Sequence, residues 1–300
     1  MRGTRRLTPW LTALLAVAMP HVMGRPPEAA ETAPGELASF VGEPRQGRAP
    51  APIEGILLRP PGPGPFPAIA MLHGCTGLRT PSRAIQAKPR FWAEHFRDRG
   101  YVTLLVDSFT TRGIDEVCTG RHLLSPVRDR ADDARGALRY LQARPDVRPD
   151  RVGLLGWSNG AAATLSVLFD GGSAAQDFRA AVAFYPNCTR NYPGGPDFRP
   201  YAPLFLLVGA LDDWTPAAPC VALIERARAQ GAPVAIKVYP GAHHSFDSPG
   251  TSVRYRPEVR NHSKQGDCSG ATVGTDPAAR ADAIVQVTRF FAGELGGVEP

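Results

Sequence analysis

The chain has 300 residues, 43% of them hydrophobic and 21% charged, with 34 lysines and arginines against 28 aspartates and glutamates, a formal net charge of +6. That composition describes a folded globular chain rather than a disordered one, and its 31 glycines and 31 prolines follow no Gly-X-Y period, which excludes collagen. The positive balance is thin: Arg2, Arg5 and Arg6 supply half of it, the other basic residues are scattered, and only Lys88, Lys237 and Lys264 are lysines, so no nucleic-acid partner is expected.

The basic start (residues 2–6) precedes an apolar run over residues 7–19 and then small and polar residues, with Val22 and Gly24 in a minus-three, minus-one arrangement. This tripartite pattern predicts a signal peptide over residues 1–24. The run is too short to span a bilayer comfortably, so no stable membrane insertion is expected once it is removed. Residues 25–36, rich in Pro, Ala and Glu, are expected to form a flexible linker, and residues 37–300 a single domain. Export to the periplasm or exterior places the five cysteines in an oxidising compartment, where most should pair. Cys188 and Cys220 follow successive predicted strands, and Cys75 and Cys118 belong to loops on one predicted edge. Those are the two candidate pairings, with Cys268 left over.

From residue 53 a rhythm of strands and helices begins. Strands are predicted at 53–58, 68–72, 101–106, 151–155, 180–184, 204–208 and 234–239. Helices are predicted at 90–99, 127–143, 159–169, 219–230 and 277–295. Short, continuously apolar strands alternating with helices imply a mostly parallel central sheet with helices on both faces, an α/β fold. Residues 245–275 show no periodicity and are expected to be a long loop.

The sharpest chemical signal is Gly156-Trp157-Ser158-Asn159-Gly160, between the strand at 151–155 and the helix at 159–169. A G-x-S-x-G in that context is a nucleophile elbow: a tight turn lifts the serine hydroxyl clear of the sheet, and small residues at 156 and 160 let the backbones approach. It also aims the Asn159 N–H at a developing oxyanion. A serine hydroxyl is a weak nucleophile, so it needs a base held by an acid, expected in the order Ser, Asp, His. Asp212 follows the strand at 204–208 and His244 the strand at 234–239, so all three fall at C-terminal strand ends. Asp213 and His243 are the neighbouring alternatives, read instead as a solvated or capping carboxylate and a packing group. A metal cluster of His243, His244 and Asp247 lacks further ligands, so no metal or other cofactor is expected. The second oxyanion donor should lie after an earlier strand, where Gly74 permits a sharp turn and the Cys75 N–H could face Ser158. His73 is read as a side chain that fixes this loop.

These pieces, with His73-Gly74-Cys75, Val106-Asp107-Ser108-Phe109 and Gly241-Ala242-His243-His244-Ser245-Phe246, resemble the dienelactone hydrolase family of the α/β-hydrolase superfamily over residues 50–295. The resemblance implies the α/β-hydrolase fold, a triad of Ser158, Asp212 and His244, and an oxyanion hole from the Cys75 and Asn159 amides. Three positions depart from the family's best-known members. Ser158 stands in place of a cysteine nucleophile, Gly74 in place of a glutamate, and Ser248 in place of a substrate-binding arginine. Arg112 and Trp157 are the remaining candidate substrate contacts. The expected activity is hydrolysis of a small-molecule carboxylic ester or lactone through an acyl-enzyme on Ser158. The rivals are a peptidase or acyl-peptide hydrolase of the same superfamily, and a non-catalytic envelope binding protein.

Overall fold

The computed structural model describes residues 1, 3, 35–44, 49–169, 171–173, 176–189, 197–264 and 269–297. Apart from Met1 and Gly3, the expected signal peptide lies outside the described residues, as do residues 25–34 of the expected linker and Cys268. Glu36, expected as the last linker residue, is instead the first residue of a strand.

Eight strands make one sheet: β1 (Glu36–Val41), β2 (Pro52–Leu58), β3 (Phe66–Leu72), β4 (Val102–Asp107), β5 (Val147–Trp157), β6 (Ala180–Phe184), β7 (Leu204–Gly209) and β8 (Val234–Tyr239). Their spatial order is β1-β2-β4-β3-β5-β6-β7-β8. β1 pairs antiparallel with β2, and β2 with β4; every later pairing is parallel. β3, β4, β6 and β7 are buried almost throughout, because helices cover both faces. In β3, Ala68, Ala70 and Leu72 point into the core that also holds Ala134, Leu138 and Leu165, from α2 (Asp129–Gln142) and α3 (Asn159–Phe169). Ile69 and Met71 point into the opposite core, with Trp92 and Phe96 of α1 (Ala87–Arg97) and Phe291 of α5 (Pro277–Leu295). α4 (Ala217–Ala229) adds Cys220, Leu223 and Ile224 to the first core. The fold is that of an α/β-hydrolase.

One sequence expectation fails here. Residues 245–275 are not a structureless loop, because β9 (Arg254–Arg260) and β10 (Ser269–Val273) form an antiparallel hairpin within them. β9 reads Arg-Tyr-Arg-Pro-Glu-Val-Arg and buries only Val259, so it lacks the alternation that marks a half-buried strand. The hairpin is held by pairing and by anchors to the main body: the Trp214 indole donates to Arg260 O, and Thr272 N donates to Asp213 Oδ1 at 2.7 Å. Two disulfides, Cys75–Cys118 and Cys188–Cys220, match the pairings expected from the sequence.

Candidate active site

Ser158 sits between the end of β5 and the first turn of α3 with φ +52°, a left-handed conformation that a non-glycine residue rarely adopts. The turn is tied down from both sides: Ser158 N donates to Phe184 O and Ala162 N donates to Ser158 O, each at 2.9 Å. The flanking glycines are steric necessities. A Cβ on Gly160 would collide with the Leu72 carbonyl oxygen, and one on Gly156 with the Gly160 carbonyl and the Thr164 hydroxyl.

Three side chains from three strand ends meet at this turn. His244 Nε2 lies 3.0 Å from Ser158 Oγ, and His244 Nδ1 lies 2.7 Å from Asp212 Oδ2. Asp212 and His244 are both buried. A buried carboxylate needs donors, and Asp212 has them: Oδ1 accepts from Trp214 N and Thr215 N, and Oδ2 lies 3.0 Å from the Thr215 hydroxyl. Because the carboxylate can only accept, Nδ1 carries the proton, which leaves Nε2 free to accept the one on Ser158. Tyr185 and Trp214 place their rings 4.5 and 4.8 Å from the imidazole. The histidine loop is further pinned by Gly274 N, which donates to His244 O just beyond β10. The hairpin missing from the sequence reading therefore buttresses the His244 loop.

The neighbouring alternatives point elsewhere. Asp213 caps the hairpin through Thr272, and its carbonyl accepts from Asn261 Nδ2. His243 is bonded through Nδ1 to Leu211 O. Asp247 is engaged by two tryptophan indoles, so His243, His244 and Asp247 do not converge on a common point.

The loop after β3 lies against the elbow, since a Cβ on Gly74 would be 3.7 Å from Ser158 Cβ. His73 holds that loop. Ser108 N donates to Nε2, so Nδ1 is the protonated nitrogen and donates to Gly74 O at 2.8 Å. Burial, reinforced by the nearby charge of Arg130, pushes the His73 pKa down to about 3, so the ring stays neutral. Cys75 and Asn159 line a cavity of about 150 Å³ together with Ser158. Behind it the buried Arg130 donates to Asn159 Oδ1 at 2.7 Å. A second cavity of about 200 Å³ holds Ser158, His244, Lys88 and Ser245.

One expected substrate contact is corrected. The Arg112 fork is spent on Asp133 (2.8 and 2.7 Å) and on Ser108 O, and Arg112 lines neither cavity. Its guanidinium neutralises a buried carboxylate and binds the loop after β4 to α2. Trp157 does line the cavity of about 200 Å³, while its indole N–H turns inward and donates to Asp247. Sequence reasoning also missed Thr215, Tyr185, Lys88 and Arg130. Thr215 carried a local signal, an Asp-x-x-Thr spacing suited to a side-chain-capped turn. The others are brought in by tertiary packing alone.

A serine on a strained turn after β5, a buried carboxylate after β7 and an imidazole after β8 define an α/β-hydrolase. The sequence matches the dienelactone hydrolase family model over residues 53–295, and the chain belongs to that family of carboxylic ester hydrolases. Among solved structures, esterase 2 of the planctomycete Thermogutta terrifontis with propionate bound is similar at 17% identity. The match has a TM-score of 0.60 and covers 90% of this chain and 97% of that one. The same esterase phosphonylated by cyclosarin matches at 18% identity and TM-score 0.61, over 90% and 97% of the two chains. A dienelactone hydrolase-like promiscuous phosphotriesterase from metagenomic libraries matches at 18% identity and TM-score 0.63, over 88% and 100%.

Proposed function

We propose that this hydrolase is an exported serine esterase acting on small carboxylic esters or lactones, with Ser158 as nucleophile, His244 as general base and then acid, and Asp212 as the group that orients and charges the imidazole. The observation that carries this reading is the unbroken hydrogen-bonded chain from Ser158 Oγ through His244 to Asp212, at 3.0 and 2.7 Å. His244 Nε2 takes the Ser158 proton as Oγ bonds to the substrate carbonyl carbon. The oxyanion is met by the amides of Cys75 and Asn159, the latter at the positive end of α3. Collapse expels the alcohol, which takes its proton from His244, and water then cleaves the acyl-enzyme by the reverse sequence. No cofactor is needed for these steps. The serine in place of a thiol is consistent with the likeness to Thermogutta terrifontis esterase 2, which is phosphonylated in one structure and holds propionate in another. Two disulfides, and the basic-then-apolar start of the sequence, support export to an oxidising compartment.

The test is Ser158→Ala with 4-nitrophenyl acetate as substrate, together with a fluorophosphonate probe read by peptide mass spectrometry. Turnover should fall by at least about 10³-fold and the label should map to Ser158 alone. Undiminished turnover in the variant would end the reading.

A further inference from the structure

The two cavities that meet at Ser158 are unequal in what surrounds them, and that inequality orients a substrate. Cys75, Ser158 and Trp214 line both. His244 lines only the cavity of about 200 Å³, and Asn159 only the one of about 150 Å³. The leaving oxygen of an ester must collect a proton from His244 Nε2, so the alcohol portion belongs on the His244 side. With the carbonyl oxygen against the Cys75 and Asn159 amides, the acyl group is left with the smaller cavity, whose apolar lining is Val117, Leu123 and Ala162. Its volume falls well below the roughly 300 Å³ at which drug-sized ligand sites begin, so it suits a short acyl chain.

The alcohol side does not end at about 200 Å³. It shares Thr76, Gln86, Arg254 and Arg256 with a cleft of about 990 Å³ that runs between the 76–86 segment, the 109–121 loop and the β9–β10 hairpin. That is far more space than a simple lactone fills. The cleft wall is mixed polar and apolar, and its charges nearly cancel. Arg79 pairs with Asp107 at 3.0 Å, Arg121 with Glu116 at 3.3 Å and Arg256 with Glu258 at 2.8 Å. The other charged lining residues are Arg83, Arg254 and Asp115. A long hydrocarbon laid there would strip water from these ion pairs without replacing it, and a polyanion would find most cations already neutralised. A neutral, hydroxyl-rich group can donate to the carboxylates and accept from the guanidiniums.

We propose that the substrate is a short-chain acyl ester of a polyhydroxylated alcohol such as a sugar, with the acyl group in the Asn159-side cavity and the polyol in the large cleft. This rests on the serine esterase reading above. Bonds balance as in any ester hydrolysis: Ser158 Oγ takes the acyl carbon, the sugar oxygen leaves with the His244 proton, and water returns carboxylate and free enzyme.

The test compares 6-O-acetylglucose with ethyl acetate, two acetates of primary alcohols, and adds 4-nitrophenyl acetate and octanoate. The expected kcat/KM for 6-O-acetylglucose exceeds that for ethyl acetate by at least about tenfold, the effect of binding energy drawn from a non-reacting part of the substrate. Ile114→Trp, which fills the cleft, and Glu258→Ala, an exposed cleft-wall position, should each cut that preference by about tenfold while leaving 4-nitrophenyl acetate turnover unchanged. Octanoate should be poorer than acetate. Equal kcat/KM for the two primary acetates, an undiminished preference in both variants, or faster octanoate cleavage would overturn the proposal. Failure of the wild-type protein to cleave 4-nitrophenyl acetate would instead overturn the serine esterase reading beneath it.

Discussion

The Asp247 carboxylate accepts the indole N–H of Trp157 at 2.9 Å, which ties the His244 loop to the residue immediately before Ser158. The same carboxylate accepts from the Trp92 indole at 3.1 Å and the Tyr185 hydroxyl at 2.6 Å, and Lys88 Nζ stands 3.6 Å away. It is fully buried, so every one of its lone pairs must be met from within the protein. Burial and the adjacent Asp247 charge hold the Tyr185 hydroxyl protonated, well above its ordinary pKa, which keeps it a donor. Burial draws the Lys88 pKa down, against the pull of Asp247.

Asp247→Asn should therefore be costly despite its near-identical shape. The new amide N–H₂ would face donors, Lys88 would lose its counter-charge, and a buried polar mismatch of this kind costs about 1–3 kcal/mol. The expected outcome is a lower urea midpoint and a reduced kcat for a simple ester, since the serine and histidine segments lose their shared tether. An unchanged midpoint with unchanged kcat would show that the tether is dispensable.

The Cys75–Cys118 disulfide bears directly on the loop proposed to supply the oxyanion hole. Cys75 O accepts from Val117 N and Cys118 O accepts from Arg260 N, each at 2.8 Å, so the bridge joins the loop after β3, the 109–121 loop and the hairpin. Closing a loop of 43 residues is worth about 4 kcal/mol in the chain-entropy account. Cys118→Ser, or reduction with dithiothreitol, should lower kcat several-fold as the Cys75 amide loses its fixed position, while Cys188→Ser in the other bridge should affect stability more than turnover. The comparison is made by steady-state kinetics on folded material verified by circular dichroism. Identical kcat losses in the two variants would count against a special role for Cys75.

Acid should destabilise the fold before it protonates most carboxylates. The pKa of buried His73 is pushed down to about 3, and that of His95 to about 4 by burial and then by the Arg99 charge. Below about pH 6.5 the unfolded chain binds protons at both rings and the folded chain does not, so stability is complete above that pH and falls as the medium is acidified towards pH 3. For His73 the slope approaches ~1.4 kcal/mol per pH unit. Urea midpoints measured from pH 7.5 to 4.5 should decline steadily, and His73→Asn should flatten the decline. A midpoint independent of pH across that window would contradict a neutral buried His73.

Much of this molecule was legible in the residue order because its signals are local. β6, β8, α3 and α5 begin and end where their apolar runs and their Gly and Pro boundaries predict. The G-x-S-x-G turn carries its own steric logic in Gly156 and Gly160. Where two adjacent residues competed, as with Asp212 against Asp213 and His243 against His244, pattern could favour one, but the fold decides which side chain faces Ser158.

Other features had no local signature. The hairpin β9–β10 has no apolar alternation in β9, which is mostly charged, and is anchored to the main body through Asp213 and Trp214. Arg112 was a candidate substrate contact by sequence, but Asp133, 21 residues away in sequence, occupies its guanidinium. The division follows from range. Backbone conformation and amphipathic period depend on neighbours a few residues apart, so the chain's order suffices to specify strands, helices and the elbow. The pairing of buried charges, the Asp247 hub and the size of the cleft beside Ser158 depend on groups dozens to hundreds of residues apart, and packing alone brings those together.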